Sequence, residues 1–414
     1  MTTASVSYKK KSINTLKKAD LEGKKVLVRV DFNVPLDDKK NITDNARIVG
    51  ALPTIKYLIE NNAKVILMSH LGRPDGQKNP EFSLSPVAKE LSKVLGKSVA
   101  FANDCVGAEV EKQVGSLKNG DVILLENVRF YKAEDDKKDA AGRKAFAKQL
   151  ASLGNIYVND AFGTAHREHA STANIAEFLP AYSGLLIEKE LKYLGSAVNE
   201  PKRPLVAILG GAKISDKIPI IENLLKKADK IIIGGGMAYT FYKAQGFEIG
   251  KSLLDKNLID TCKDFLARGK DKIVLPSDVK VTTAFDFKAM KVLAPLKTVD
   301  IKSIPADAEG LDIGEKTAAE FSNIIASAGT VIWNGPMGVF ECEDTAKGTF
   351  AVANALAAAT GKGVITVIGG GDSASAIKEA GLETKMTHVS TGGGASLEFL
   401  EGKVLPGIAA LQDA

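Results

Sequence analysis

The chain has 414 residues, of which 45% are hydrophobic and 25% are charged, with a formal net charge of +5. This composition is ordinary for a soluble globular protein, the length predicts two or three domains, and the small net charge indicates no general role on nucleic acids or membranes. The three cysteines, Cys105, Cys262 and Cys342, form no CxxC pair and no Cys/His cluster. We therefore expect a reducing compartment and no structural zinc.

Two features of the sequence bear on membranes and targeting. No apolar run is long enough to span a bilayer, and the start MTTASVSYKKKS lacks the hydrophobic core of a secretory signal. Its Ser/Thr-rich character is compatible with the remnant of an organelle-targeting segment. We expect a cytoplasmic protein, with a plastid or similar organelle as the alternative.

The first half of the chain is predicted to alternate strands and helices. Mainly apolar runs at 26–30, 65–68, 122–125 and 156–158 are predicted to form strands. Helices are predicted after Arg47 up to about residue 59, over 85–95 with Pro86 in the first turn, and in the later part of 132–150. The alternation indicates parallel βαβ units.

Charged and amide side chains follow the strands of this first half. Six of the eight arginines precede residue 170, and a guanidinium recognises carboxylate or phosphate through a fixed fork of donors. The positions of His70, Arg129 and Arg167 at strand ends favour ligand contacts, so we predict a site for a compact anion. His166 and His169 form an HxxH pair without a third zinc ligand. Arg143 is expected on the solvated surface, and Arg203 and Arg268 are expected to be structural.

Glycines follow four predicted strands of the second half. The strands 205–209, 231–233, 366–368 and 387–389 run into glycines at 210–211, 234–236, 369–371 and 392–394. Bare N–H groups and a helix dipole bind anions at such turns, and the carboxyl ends of parallel strands are where ligands bind. The pattern predicts a nucleotide or polyphosphate platform.

Side chains beside these glycine turns add charge to the predicted platform. Asp372 and Ser373 are N-cap candidates for a helix from Ala374, and Asp372 is also a candidate ligand for a magnesium ion that accompanies a nucleotide. Lys213 and Lys217 are four residues apart, which predicts one helix face directed at phosphates. Further strands are predicted at 273–275 and 331–333.

Two known nucleotide-binding motifs match glycine-containing segments of the chain only poorly. The segment GFEIGKS (246–252) is one residue too short for a Walker A loop. The pattern G-x-G-x-x-A at 369–374 is a weak dinucleotide signal, because no acidic residue closes a clear following strand. An NAD-dependent dehydrogenase and a non-catalytic two-domain anion-binding protein remain alternatives, although the first leaves the arginines unexplained.

The motifs of the chain, in their order, resemble those of phosphoglycerate kinases over nearly its whole length. The segments that carry the resemblance are RVDFNVP (29–35), SHLGRP (69–74), LLENVRF (124–130), NDAFGTAHR (159–167), LGGAK (209–213), IIIGGGMA (231–238), WNGPMGVFE (333–341), IGGGDS (368–373) and HVSTGGGASLE (388–398). Glu168, Cys342 and the segment 281–295 depart from the family pattern, and the charge of Glu168 is expected to weaken the Arg167 site slightly.

The resemblance implies an α/β fold of two doubly wound parallel-sheet (Rossmann-like) domains joined by a helix, with a deep interdomain cleft. Residues 1–184 would form a 3-phosphoglycerate-binding domain, with the segment from about 401 to 414 packed back on it. Residues 185–400 would form the nucleotide-binding domain, beginning with the interdomain helix 185–198. The implied protein is a monomeric glycolytic transferase that closes by hinge-bending.

The resemblance also implies an activity and its residues. The reaction is reversible phosphoryl transfer between ATP and the carboxylate of 3-phosphoglycerate, giving ADP and 1,3-bisphosphoglycerate. The implied 3-phosphoglycerate site consists of Asp31, Asn33, Arg47, His70, Arg73, Arg129 and Arg167. The implied nucleotide site consists of Gly211, Lys213, Lys217, Gly235, Gly236, Gly310, Asn334, Glu341, Gly370, Gly371, Asp372 and Ser373. Glu341 would contact the ribose, Asp372 would contact Mg²⁺, and the implied catalytic residues are Arg47, Lys213, Gly370 and Gly393.

Such a reaction agrees with the residue types of the chain. The acceptor carboxylate is already ionised at neutral pH, so no general base is needed to activate it. The barrier comes from repulsion between two anions, which positioning and charge stabilisation overcome. Arg47 and Lys213 are expected to stabilise the transferring group.

Overall fold

The computed structural model describes residues 8–414, and most of the Ser/Thr-rich start considered above lies outside the described residues. The chain divides into two compact units. The first unit takes the chain up to Lys192 and the C-terminal segment Val404–Ala414, and the second takes Tyr193–Lys403. The division falls inside the segment 185–198 that the sequence predicts as the linking helix.

The first unit is built on a six-stranded sheet. Its strands are β1 (Lys25–Arg29), β2 (Lys64–Met68), β3 (Val99–Phe101), β4 (Val122–Leu124), β5 (Ile156–Asn159) and β6 (Ala181–Ser183). Its helices are α1 (Lys18–Leu21), α2 (Ala46–Glu60), α3 (Ser85–Leu95), α4 (Ala108–Gly115), α5 (Ala140–Ala151) and α6 (Leu185–Glu190). The strand order is β3-β4-β2-β1-β5-β6, and every pairing is parallel.

The central strands of this sheet could be predicted from the sequence because they are almost entirely buried. In β1, β2 and β4 every residue is buried except the first of β1 and β2, as expected for parallel strands covered on both faces. The chain leaves β1 toward β2 on one side and later returns on the other side as β5. Ligands bind at such a reversal of strand order.

The second unit contains a second parallel sheet and two small antiparallel sheets. Its strands are β7 (Leu205–Leu209), β8 (Lys230–Ile233), β9 (Ile273–Val274), β10 (Asp278–Thr282), β11 (Phe285–Asp286), β12 (Lys291–Val292), β13 (Lys297–Asp300), β14 (Glu309–Ile313), β15 (Thr330–Asn334), β16 (Ile365–Ile368) and β17 (His388–Val389). Its helices are α7 (Ser196–Asn199), α8 (Ile218–Lys227), α9 (Ala238–Ala244), α10 (Ile259–Arg268), α11 (Glu315–Ala326), α12 (Lys347–Thr360), α13 (Gly371–Glu379) and α14 (Gly394–Leu400).

The large sheet of the second unit has the order β17-β16-β15-β7-β8-β9, again with parallel pairings only. Its order reverses between β7 and β15, so the loops after these two strands are the expected ligand position. The segment 281–295, which fits the family pattern poorly, forms the end of β10 and the hairpin of β11 and β12. The fold class predicted from the sequence, an α/β protein with two doubly wound parallel sheets, is confirmed.

Two connecting segments were predicted with different success. The predicted helix 185–198 is present, but a π-helical turn at Leu191–Gly195 separates α6 from α7. The C-terminal segment contains a last helix, α15 (Pro406–Ala409), and joins the first unit, where Asn159 donates to the Gly407 carbonyl at 3.0 Å. No helix among the described residues is both long and apolar enough to cross a membrane.

The expectation for Arg143 is wrong. This arginine lies on α5 with only 7% of its surface exposed, and it donates to the Asp136 carbonyl at 2.6 Å and to Glu168 at 3.1 Å. The charged residues around it suggested a solvated helix, whereas its partners come from neighbouring loops. Glu168 is therefore paired with Arg143. All three cysteines are buried and free.

Candidate functional site

Hydrogen bonds of the predicted anion-binding residues connect the loops at the carboxyl edge of the first sheet. Asp31, just after β1, accepts from Arg47 Nη1 at 2.5 Å, and Arg47 lies in the first turn of α2. Asn33 accepts from the Gly72 N–H at 2.9 Å, and Arg129 donates to the Gly72 carbonyl at 2.8 Å. The loops that follow β1, β2 and β4 are thus joined by site residues.

The positive charges of the first unit act on one another, which shows that they lie close together. Burial lowers the pKa of His70 well below its ordinary value, and the charges of Arg29, Arg129 and Arg47 lower it further. Burial also lowers the pKa of Arg129, with Arg29 and Arg167 adding to the effect. Asp31 pairs with Arg47 and Asp135 lies 3.5 Å from Arg129 Nε, but the arginines still concentrate positive charge here, which favours an anionic ligand.

The remaining predicted residues of this site, Arg73 and Arg167, are more exposed than Arg129 and His70. Arg167 is half-buried, and its Nε lies 3.2 Å from His166 Nε2. Arg73 directly follows Gly72, and its side chain is exposed. Burial and the surrounding arginines lower the pKa of His169 to about 2, so this ring is neutral.

The sequence prediction missed a buried network behind these residues. Arg29, the last residue of β1, is fully buried and contacts both Ser171 and His70. Ser171 in turn contacts the fully buried Glu134. The sequence contained a signal for this network, because an arginine at the end of an apolar strand needs a buried partner.

The second unit contains a cavity of about 440 Å³ at the reversal between β7 and β15. It is lined by Gly210, Gly211, Ala212, Lys213, Asp216, Lys217, Asn334, Gly335, Gly370, Gly371, Asp372, Ser373 and Leu397. Eight of the twelve residues predicted for the nucleotide are therefore brought together at this one place. The lining consists mainly of glycines, two lysines and the first turn of α13, which together favour a polyphosphate.

Polar contacts shape the floor of this cavity. Lys217 donates to the Asn334 side-chain oxygen, Asn334 Nδ2 donates to the Gly369 carbonyl at 2.8 Å, and the Gly335 N–H donates to Ser373 Oγ at 2.6 Å. Gly370 has a φ of +91°, and a Cβ there would lie 2.7 Å from Asn334 Nδ2. Burial lowers the pKa of Lys217, whereas Asp216 and Asp372 raise it.

Two local predictions about this cavity are wrong. Lys213 and Lys217 do not share a helix face, because Lys213 is in a loop and Lys217 ends a 3₁₀ turn before α8. Both side chains nevertheless line the cavity. The helix after β16 begins at Gly371 rather than Ala374, so Asp372 and Ser373 lie in its first turn and Gly370 is the N-cap.

A second cavity of about 260 Å³ adjoins the first and shares Gly211, Ala212 and Asp372 with it. Gly235, Gly236, Gly310 and Glu341, all predicted for the nucleotide, line it. Gly393 lines neither cavity and is instead the N-cap of α14, whose Leu397 lines the first.

Apolar side chains that the sequence prediction missed also line the second cavity. They include Leu253, Phe287 and Met290, which are 55%, 50% and 38% exposed. Large exposed apolar side chains at a cavity indicate a ligand with an apolar face. Phe287 and Met290 belong to the β11–β12 hairpin region, where the family pattern gave no guidance.

Two doubly wound parallel sheets, one edged by arginines and the other by glycine turns and lysines, define an α/β enzyme of the nucleotide-binding class with a second anionic substrate. Comparisons with known proteins agree. The family model described as phosphoglycerate kinase matches residues 16–403. A phosphoglycerate kinase of Chlorobaculum tepidum is 56% identical over 403 residues, covering 96% of this chain and 99% of that protein.

Other relatives and solved structures extend this agreement. A chloroplastic phosphoglycerate kinase of Volvox carteri is 54% identical over 98% of this chain and 86% of its own length. The structure of phosphoglycerate kinase from Coxiella burnetii has a TM-score of 0.86 and 42% identity, covering 97% of this chain and 98% of that one. The enzyme from Pyrococcus horikoshii has a TM-score of 0.81 and 33% identity, with the same coverage.

The chain belongs to the phosphoglycerate kinase family. It is a phosphotransferase that moves a phosphoryl group reversibly between ATP and the carboxylate of 3-phosphoglycerate, giving ADP and 1,3-bisphosphoglycerate. The dehydrogenase and the non-catalytic binding protein are thereby set aside.

Proposed function

We propose that each unit binds one of the two substrates. The first unit binds 3-phosphoglycerate through its arginines, and the second binds ATP or ADP through its two adjoining cavities. The observation that carries this proposal is the separation of side-chain chemistry between the units. The arginine contacts at Asp31, Gly72 and His166 lie in the first unit, and the glycine and lysine cavities lie in the second.

The two cavities suggest how a nucleotide lies in the second unit. The polyphosphate occupies the larger cavity, where the first turn of α13, Lys213 and Lys217 supply N–H groups and positive charge. The nucleoside occupies the smaller cavity, whose apolar lining suits a base and whose Glu341 accepts from ribose hydroxyls. Because Asp372 lines both cavities, the diphosphate passes this carboxylate.

The residues of the second unit fit a magnesium ion that arrives with the nucleotide. Mg²⁺ keeps several waters and binds one or two carboxylates together with substrate phosphates. Asp372 is exposed in the first turn of α13 at the shared wall of the cavities, so one carboxylate is available there. Among the described residues no group of three or more His, Cys, Asp or Glu side chains forms a metal site on its own. The ion would neutralise phosphate charge during transfer.

In the first unit, 3-phosphoglycerate would be held by Asp31, Asn33, Arg47, His70, Arg73, Arg129 and Arg167. The guanidinium groups suit its phosphate and carboxylate. Asp31, which pairs with Arg47, accepts from the hydroxyl of the substrate. The pair also fixes the direction of the Arg47 guanidinium, which is only partly exposed.

Catalysis requires no proton transfer from the protein, since the attacking carboxylate is already ionised. Arg47 and Lys213 stabilise charge on the transferring group, and the N–H groups near Gly370 and Gly393 take part from the second unit. An in-line transfer brings the reacting atoms to about 3–3.5 Å. We propose that a monomer closes its two units around both substrates, with the segment 185–198 as a hinge. We also propose a cytoplasmic location, with a plastid as the alternative.

Calorimetric titration of two variants tests the division of substrates. Lys217→Ala is expected to weaken ADP binding at least tenfold, because a buried charge-assisted contact contributes about 1.5–3 kcal/mol. Its affinity for 3-phosphoglycerate is expected to remain unchanged. Arg167→Ala is expected to give the reverse result. If both variants lose affinity for the same ligand, the proposed division is wrong.

A further inference from the structure

A buried chain of hydrogen bonds runs behind His70 in the first unit. Glu134 is fully buried and accepts from Ser171 twice, from the hydroxyl at 2.6 Å and from the backbone N–H at 3.0 Å. Ser171 Oγ accepts from Arg29 Nε at 2.7 Å. Arg29 Nη2 lies 3.2 Å from Nδ1 of His70, whose ring is itself buried.

The directions of these hydrogen bonds are fixed by what each group can do. A guanidinium donates and never accepts. The Ser171 hydroxyl gives its proton to Glu134, so its lone pair faces Arg29. Arg29 also donates from Nη1 to the Val30 carbonyl, which leaves Nη2 directed at His70. Nδ1 of His70 must therefore accept, and the ring proton of the neutral imidazole must be on Nε2.

We propose that Arg29 is a positioning residue that holds His70 as its Nε2–H tautomer, so that the ring offers a donor to the anionic substrate. This inference rests on the proposed contact between His70 and 3-phosphoglycerate. The opposite tautomer would turn a lone pair toward the anion and repel it. Glu134, through Ser171, fixes the guanidinium that makes the selection.

The surroundings of His70 keep the ring neutral as well as oriented. Arg29 on β1, Arg47 on α2 and Arg129 after β4 face it with positive charge, and the neutral ring of His169 lies nearby. Burial and these charges lower the pKa of His70, so the ring is unprotonated and carries no charge near neutral pH. Because His70 does not change its protonation state in this range, it should not make substrate binding depend on pH between about pH 6 and 8.

Nitrogen-15 NMR of the wild-type enzyme tests the tautomer directly. The chain contains only four histidines, at positions 70, 166, 169 and 388, so His70 is assigned by its loss in a His70→Gln variant. We expect an unprotonated, acceptor-type Nδ1 and a protonated Nε2 at pH 7.5. A protonated Nδ1 would overturn the proposal whatever the kinetics show.

Substitution of Arg29 tests its role in selecting the tautomer. Arg29→Met is expected to release the ring, so that both tautomers appear, the His70 pKa rises toward its ordinary value, and the KM for 3-phosphoglycerate rises about tenfold or more. The KM for ATP is expected to remain unchanged. Arg143→Met is the matched control, because it removes another buried arginine of the same unit that contacts neither Ser171 nor His70. It also releases Glu168 beside Arg167, so we expect a rise in the KM for 3-phosphoglycerate that is well below tenfold.

The control decides between positioning and general damage to the first unit. If Arg143→Met raises the same KM as much, or if the tautomer survives in Arg29→Met, the proposal fails. If Arg29→Met does not fold, Ser171→Ala is used instead, because it removes the hydroxyl that orients Arg29. The same nitrogen-15 spectrum is then recorded. We expect mixed tautomers of His70, and a single unchanged tautomer would contradict the proposal.

Replacement of His70 itself separates this inference from the proposed substrate site. A Gln side chain places an N–H₂ donor near the Nε2 position, whereas Asn places its amide near Nδ1. We expect His70→Gln to retain more affinity for 3-phosphoglycerate than His70→Asn. If neither variant alters the KM, the proposed contact of His70 with the substrate is wrong, and that result is distinct from a wrong tautomer in the wild-type spectrum.

Discussion

The first turn of α13 offers a substitution that should separate nucleotide binding from stability. Gly371 begins this helix, is exposed, and lines the larger cavity. A Cβ added at Gly371 meets no heavy atom within 4 Å. Gly371→Ala should therefore leave the fold intact, and the lower entropy of the unfolded chain should raise the free energy of unfolding by about 0.4–1 kcal/mol.

The same methyl group should obstruct the nucleotide. Side chains on a helix tilt toward its N-terminus, so the methyl occupies the space in front of the N–H groups that would bind phosphate. Each charge-assisted hydrogen bond lost costs about 1.5–3 kcal/mol, and every 1.4 kcal/mol is a factor of about ten in affinity. We expect the KM for ATP to rise about 10–100-fold in a coupled assay, with the KM for 3-phosphoglycerate unchanged.

A second glycine provides the opposite control. Gly363 precedes β16 with a φ of +89°, and a Cβ there also meets no heavy atom within 4 Å. Gly363→Ala should lower stability by about 1 kcal/mol through backbone strain, measured by urea denaturation, and leave both KM values unchanged. An unchanged KM for ATP in Gly371→Ala would refute the assignment of the larger cavity to the polyphosphate.

Three further predictions concern charge stabilisation, the nucleoside and pH. Arg47→Ala should lower kcat about 10²–10³-fold while ADP affinity, measured by calorimetry, stays within twofold, and an unchanged kcat would contradict its role. Phe287→Ala should raise the KM for ATP several-fold without altering the urea midpoint, because this half-exposed side chain lines the smaller cavity, whereas an unaltered KM would exclude a base there. Burial raises the pKa of Asp160 to about 7, so between about pH 4 and 7 the native state holds a proton that the unfolded state has lost. Stability should then fall as pH rises, by up to about 1.4 kcal/mol per unit from this group, and Asp160→Asn should reduce the slope, with the remainder coming from Asp312, whose pKa burial also raises to about 7. A profile unchanged by that substitution would show that the carboxyl is ionised in the native state.

Much of the fold could be predicted because its strands are buried on both faces. The runs 26–28 in β1, 65–68 in β2 and 205–209 in β7 are continuously apolar, which is the pattern of central parallel strands. Helix α3 was predicted with its observed bounds, Ser85–Leu95, because an amphipathic stretch has Pro86 in its first turn and ends before Gly96. The edge strands β3 and β6 have three residues each and were not predicted, since such short segments carry no periodicity.

Site residues that directly follow a strand could be predicted from the sequence. Residues whose partners come from distant parts of the chain could not. Glycines after β7 and β16 were informative because backbone groups at strand ends bind ligands. Arg29 was missed because its partner Ser171 is 142 residues away in the sequence. Arg143 was misjudged because local charge suggested exposure, whereas the tertiary structure buries it and pairs it with Glu168, 25 residues away in the sequence.

Hydrogen-exchange mass spectrometry of the unmodified enzyme tests the division of the substrates most directly. Each substrate is added alone, and the exchange of backbone amides is followed in both units. We expect 3-phosphoglycerate to slow exchange in segments 29–33, 69–74 and 127–131 and to leave segments 210–217, 334–341 and 369–374 unchanged. Mg-ADP is expected to do the reverse. Slower exchange at 369–374 with 3-phosphoglycerate alone, or at 69–74 with Mg-ADP alone, would contradict the account.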